Sequence, residues 1–274
     1  MIMTDTSQYR ERKADMDVRR AKSFYDKEYC GNRYSQAETT QQAIGYAGLR
    51  AFIDEFGLHN KKCLEVGCGR GLFQDLVEDY TGIDLSDSVK QYLHKPFYQA
   101  SATELPFKDN EFDAVWMISV LEHIPNPEKS LLEIRRVLKP ESFLFLQAAW
   151  QCRPWASNGY SVRPYRDFKL IGKIIKASVP LRNSVSFRSL YIFPRRVLSC
   201  IRYALMRERT NFRYKKLSPN YDHFWQSDSD AVNSMDSYEA ILWFMSRGDT
   251  CLSYTNPLSR FFVRTGAIIF QIRK

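Results

Sequence analysis

No apolar run in this chain approaches the about eighteen residues a membrane span needs. The first seventeen residues, MIMTDTSQYRERKADMD, are polar and charged, unlike a signal segment. A cytoplasmic protein is therefore expected. Six cysteines are present (30, 63, 68, 152, 200 and 251), but no C-x-x-C pair and no zinc spacing occurs, so free thiols in a reducing compartment and no metal site are expected. Carboxylates are the second shortage. Residues 153–216 hold 16 Lys and Arg against 2 Asp and Glu, whereas residues 1–150 hold 19 against 23. Nearly all of the net charge of +9 thus lies in one segment, which implies an anionic partner or substrate for that segment.

The 274 residues, 44% hydrophobic, suffice for one α/β domain enlarged by an insertion. Hydrophobic pattern and breakers predict strands at 62–66, 80–84, 97–101, 112–120 and 142–149. Helices are predicted at about 37–56, 71–78, 86–94 and 128–138, the last opened by Asn126-Pro127 and stopped by Lys139-Pro140. Alternation of this kind implies a parallel sheet with helices on both faces. Asp236-Ser237-Tyr238-Glu239 reads as a capping box for a helix over 237–247, followed by strands at Cys251–Tyr254 and from Phe261 to Phe270.

The densest motif is Leu64-Glu65-Val66-Gly67-Cys68-Gly69-Arg70-Gly71, followed by Gly82-Ile83-Asp84-Leu85. It reads as a buried strand, a glycine turn, then a second strand ending in a carboxylate, as in folds that bind an adenosine ribose. The spacing is GxGxG and position 72 is Leu, which departs from the dinucleotide form. Glu65, just before the glycines, would repel a pyrophosphate but suits an ammonium. S-adenosylmethionine (SAM) carries an ammonium and a sulfonium and has no phosphate.

Further along stand Ala102-Thr103-Glu104-Leu105-Pro106-Phe107, Asn110-Glu111-Phe112-Asp113-Ala114-Val115, Leu121-Glu122-His123-Ile124-Pro125 and Leu132-Glu133-Ile134-Arg135-Arg136-Val137-Leu138-Lys139-Pro140. Together with the glycine motif these resemble the ordered motifs of class I SAM-dependent methyltransferases over roughly 61–149. The resemblance implies a Rossmann-like α/β fold with a seven-stranded, mostly parallel sheet, and an insertion between strand 5 and the last helix. It divides the chain into an N-terminal cap region (1–36), a SAM-binding core (37–149), a basic substrate-side insertion (150–233) and the C-terminal part of the core (234–274).

By position the resemblance also implies the SAM contacts. Gly67, Cys68 and Gly69 would let the backbone approach the cofactor, Glu65 would anchor its ammonium, Asp84 would accept from both ribose hydroxyls, and Leu85 would pack on adenine. Ser101 and Ala102 fall at the adenine amino group, where relatives often carry aspartate rather than serine. Ser119 would lie beneath the sulfonium. Arg33 is a candidate for the cofactor carboxylate, and a surface role for it stays open.

Methyl transfer needs chiefly alignment and exclusion of water, and a base only if the acceptor must lose a proton. His123 is the candidate base, with a loop-capping or cofactor-covering role as the alternative. Tyr25, Tyr29, Trp150 and His223 are candidates for the acceptor pocket. The cluster Asp222, His223, Asp228 and Asp230 reads mainly as hydrogen-bonding and capping groups, with orienting an acceptor or holding a divalent metal through oxygen ligands as the alternative. In the insertion, the helical pattern over 166–178, and that of a second helix opened by Pro194, put apolar and basic residues on separate faces. Such helices pack their apolar face on their own domain or lie on an anionic membrane through 166–209; a nucleic-acid contact is a third option. The run from Arg153-Pro154-Trp155 to Asp228-Ser229-Asp230 resembles insertions of bacterial methyltransferases of surface-polysaccharide biosynthesis. That likeness implies a small or glycan-type acceptor, anionic or lipid-linked, methylated at oxygen, with a peripheral position at the inner face of the membrane. An RNA or protein methyltransferase and a SAM-binding scaffold without catalysis are the alternatives.

Overall fold

A computed structural model describes residues 18–31, 43–205 and 209–274. Its centre is a seven-stranded sheet in the order β3-β2-β1-β4-β5-β9-β8. The strands are β1 (Cys63–Val66), β2 (Tyr80–Asp84), β3 (Phe97–Gln99), β4 (Phe112–Ile118), β5 (Leu138–Gln147), β8 (Thr250–Cys251) and β9 (Ile268–Gln271). β1 to β5 pair in parallel, and β9 runs antiparallel to both β5 and β8. This is the expected mostly parallel α/β sheet. Its strand order reverses between β1 and β4, which opens a crevice at their carboxyl ends.

The central strands are apolar on both faces, as helices cover both. Leu64 and Val66 join Val115, Met117, Leu144 and Leu146 in a core closed by α3 (Pro127–Val137) and α6 (Ser237–Met245). On the opposite face, Cys63, Tyr80, Ala114, Trp116 and Phe145 pack on Leu49, Phe52 and Ile53 of α2 (Tyr46–Glu55). Asn126 caps α3 by accepting from the Lys129 N–H at 3.2 Å, with Pro127 in its first turn. Asp236 caps α6, accepting from Tyr238 N–H at 3.0 Å. Glu239 does not complete a capping box, because it is engaged by Ser199 instead.

Three expectations change. The helices predicted at 71–78 and 86–94 are short 3₁₀ turns, Gln74–Leu76 and Asp87–Tyr92. Buried Gln74 ties them together, donating to Tyr92 O at 3.1 Å and accepting from His94 N–H at 2.9 Å. Phe261 and Phe262 lie not in a strand but in α7 (Pro257–Phe262), whose start is set by Pro257 and by Asn256 accepting from Ser259 N–H. Pro194 does not open a helix. It lies inside α5 (Val185–Leu205), which follows α4 (Leu170–Asn183) after a single extended residue, Ser184.

A helix over 18–30, α1, precedes the sheet in sequence. Between β5 and α6, β6 (Tyr214–Lys216) and β7 (Asn233–Met235) form a small antiparallel pair. No helix among the described residues is long and apolar enough to cross a membrane.

Candidate active site

The glycine turn closes β1 against the end of β4. Gly67 has φ +75°, and a Cβ there would stand 2.2 Å from Cγ2 of Val120. Only glycine permits both that backbone and that approach. Ser119, exposed beside Val120, has φ 55° and donates its N–H to Gln147 O at 2.7 Å. Both loops therefore sit at the sheet's reversal point.

Asp84 organises the turn from the end of β2. Its Oδ2 accepts from Gly69 N–H and its Oδ1 from Ser86 N–H, each at 3.0 Å. Burial raises its pKa, against the pull of these backbone donors. Leu85, half-buried beside it, receives Gln99 Nε2 on its carbonyl at 3.3 Å. Ser101 bridges to Glu104 and shares a 2.9 Å hydrogen bond with Thr103, and Ala102 packs on the core next to it.

Glu65 is buried on the α2 face of β1, where its Oε2 accepts from Tyr80 Oη at 2.5 Å. Burial pushes its pKa up to about 8, although the Tyr80 hydroxyl and the Trp116 indole favour the charged form. Among the described residues it forms no ion pair. A buried carboxyl of this kind gains from a cationic ligand, so the residues fit a cofactor carrying an ammonium. Cys68, also buried, has its thiol pKa raised well above the usual range by burial, which keeps it neutral and unreactive.

α1 lies over this turn. A Cβ at Gly69 would meet Tyr29 Oη at 3.4 Å, and Arg70 donates to the carbonyls of Tyr29 and Gly31 at 3.0 and 2.9 Å. One helical turn earlier, Tyr25 has its ring 6.2 Å from that of Tyr29 and donates its hydroxyl to Asp230 Oδ2 at 2.9 Å. The Tyr25 ring stands edge-on to His123 at 6.1 Å. α1 thus connects the glycine turn to the residues after β4.

His123 closes a 3₁₀ turn, Leu121–His123, with Nδ1 3.3 Å from Asp230 Oδ2 and Nε2 3.9 Å from Glu122 Oε1. Burial opposes a charge on the imidazole, but the Asp230 and Glu122 carboxylates outweigh it, and the pKa is raised. Glu122 is itself buried, which raises its pKa, and it accepts from Ala149 N–H at 3.1 Å. Residues beside Asp230 are pinned to the same turn: Val232 donates its N–H to Glu122 O at 3.0 Å, and the Asn233 amide donates to Ile124 O at 2.5 Å.

Sequence reasoning singled out His123, Tyr25 and Tyr29, which the structure brings together with the glycine turn. It passed over Glu122, and over Asp230 as the partner of His123. Glu122 adjoins His123 and was available as a local signal; Asp230 lies on the far side of the insertion and had none. Two acceptor-pocket candidates are engaged elsewhere. Trp150 is buried and donates its indole N–H to Gly266 O at 3.1 Å. His223 is exposed and stacks on Trp225 at 5.4 Å. Arg33 lies outside the described residues.

Comparison with known proteins agrees with this geometry. A protein of Methanocaldococcus jannaschii described as uncharacterized is 35% identical over 47% of this chain and 60% of its own length. The chloroplastic tocopherol O-methyltransferase of Arabidopsis thaliana is 26% identical over 53% of this chain and 45% of its own. The ubiquinone biosynthesis O-methyltransferase of Dechloromonas aromatica is 34% identical over 35% and 47%. The chain spans about half the length of these curated relatives. Residues 64–146, which run from β1 through β5 and carry the glycine turn, Asp84 and His123, match the family described as methyltransferase domain, whose methyl donor is S-adenosylmethionine.

Proposed function

We propose that the whole chain is a SAM-dependent methyltransferase that methylates an oxygen of a small or glycan-type acceptor. The observation that carries this reading is the continuity from Gly69 through Tyr29 and Tyr25 to Asp230 and the half-buried His123, which supports an acid–base role for His123 beside the glycine turn. When bound, SAM supplies a methyl group already activated on sulfur. Gly67 and Gly69 would hold it by close backbone approach, Asp84 through its ribose hydroxyls and Glu65 through its ammonium. α1 would exclude water from above.

An acceptor hydroxyl must lose its proton as the methyl arrives. His123 would take that proton, and Asp230 and Glu122 would stabilise the imidazolium that results. A raised imidazole pKa makes the neutral ring a stronger acceptor of that proton. Oxygen as the acceptor atom is also supported by the tocopherol and ubiquinone O-methyltransferases among the relatives. The surplus of arginine and lysine in 153–216 supports an anionic acceptor, such as a phosphate-bearing or lipid-linked glycan.

The test is transfer of labelled methyl from SAM to fractionated cell material. Label in the lipid or glycan fraction is expected. Label confined to nucleic acid or protein would replace the acceptor assignment, and no SAM binding at all would overturn the reading.

A further inference from the structure

Helix α5 is turned with its polar side inward. Arg196 is 1% exposed, and its guanidinium holds both carboxylate oxygens of Asp236, at 3.0 Å from Nε and 2.5 Å from Nη2. Ser199, on the next turn, donates to Glu239. Both anchors reach α6 and fix the rotation of α5, because breaking a buried arginine–carboxylate pair leaves a charge uncompensated. The leucines therefore face out. Leu190, Leu198, Ile201 and Leu205 are 74, 60, 50 and 77% exposed and fall on one helical stripe. On α4, Leu170 and Ile171 are each 74% exposed. The expectation that the apolar face packs on its own domain is thus reversed for α5, whereas α4 still turns Val179 inward.

Charge identifies what covers this face. Arg195 and Arg202, both exposed, stand seven residues apart along one margin of the α5 stripe, and no Asp or Glu occurs between Phe168 and Leu205. A second copy of the chain would bring these cations together with no carboxylate from the same face to receive them. Beside the end of α5, Arg202, Arg209 and Arg213 line a cavity of about 350 Å³. Glu239 forms part of its wall, and burial raises the pKa of that carboxyl, which lessens its repulsion of an anion.

We propose that the outer face of α4 and α5 docks on an anionic lipid surface, with the leucines and isoleucines in the acyl boundary and the arginines on headgroup phosphates. Such a helix needs both contributions, apolar burial and attraction to anionic lipid. The docking extends the proposed function by placing a lipid-linked acceptor at the surface where the enzyme sits, but its physical basis is independent of the chemistry.

The test is co-sedimentation of the full chain with vesicles of phosphatidylglycerol in phosphatidylcholine, against phosphatidylcholine alone. SAM affinity and thermal melting serve as controls on the fold. Wild type is expected to bind the anionic vesicles and not the neutral ones. Leu198→Ser with Ile201→Ser should weaken binding roughly tenfold. Arg195→Gln with Arg202→Gln should weaken it roughly fivefold for each cation removed. SAM affinity should be unchanged in both, so that loss of docking is distinguishable from failure of the methyltransferase reading. The proposal is overturned if wild type stays in the supernatant with anionic vesicles, or if it is a dimer in solution that the Leu198 and Ile201 substitutions split.

Discussion

Tyr25 and Asp230, 205 positions apart in the chain, are joined phenol to carboxylate at 2.9 Å. The bond ties α1, which lies on the glycine turn, to the carboxylate beside His123. Helix α1, the glycine turn and His123 are therefore one connected unit rather than three neighbours.

Tyr25→Phe removes that bond and little else in volume. A hydrogen bond to a charged group contributes about 1.5–3 kcal/mol, so turnover should fall at least roughly tenfold. SAM affinity should change little, since Tyr29 still covers Gly69. Steady-state kinetics and calorimetric SAM titration check both. An equal loss of SAM affinity would reduce α1 to a structural cover.

SAM binding should depend on pH if the SAM ammonium is received by Glu65. Burial raises its pKa to about 8, so it is largely protonated at neutral pH, and an incoming ammonium favours the carboxylate. Binding then releases a proton. SAM affinity should climb between about pH 5.5 and about pH 7.5, by up to about tenfold per pH unit, and Glu65→Gln should flatten the climb. The stability sign follows from the same shift. A folded-state pKa raised above the ordinary carboxyl value of 4.5 contributes stability that is fully present below that pH and is lost as pH rises through about 8. Glu65→Gln should accordingly raise the melting temperature at alkaline pH relative to wild type, and little at pH near 4.

What could be read from the sequence, and what could not, divides by distance along the chain. The glycine turn and Asp84 lie within one strand–turn–strand stretch, so local spacing revealed them. Strands alternate with helical segments from residue 62 to 149, and that alternation marked a parallel sheet covered on both faces. Asp230 is brought to His123 by β7, the turn before it and the Tyr25 hydroxyl, all distant in the chain, contacts that no local pattern announces. The helices of the insertion were legible as amphipathic, but not their rotation, because Arg196 becomes an inward residue only when Asp236 is brought beside it. Phe261 and Phe262 have strand propensity, yet Asn256 and Pro257 start a helix in front of them, and local capping prevailed.

His123 should give the rate profile a rising limb. Burial lowers the tendency of its imidazole to charge, but Asp230 and Glu122 prevail and the pKa lies above 6.5. A base must be neutral, so kcat/KM should rise with pH through that raised value. Asp230→Asn removes one carboxylate charge and should move the limb to lower pH, while His123→Ala should lower kcat by about 10²–10⁴. For stability the sign is that of any raised histidine: the contribution is present below the unfolded pKa and is lost as pH rises through the folded one. A limb that stayed in place in Asp230→Asn would assign the titration to another group.

Gly67→Ala tests the closure of the two loops at the sheet's reversal point. The added Cβ would lie 2.2 Å from Val120 Cγ2 and 2.8 Å from its Cγ1, with φ at +75°. Overpacking of this kind costs about 1–3 kcal/mol. The left-handed backbone adds roughly 1–2 kcal/mol for a residue with a side chain. The substitution should therefore lower the melting temperature and weaken SAM binding together. Val120→Ala in the same chain removes the two methyl carbons in closest approach and should restore the steric part but not the backbone part. Recovery of roughly half the lost stability in the double variant is the expected result, read by thermal melting and by SAM titration. No recovery would mean that backbone strain alone requires glycine at position 67.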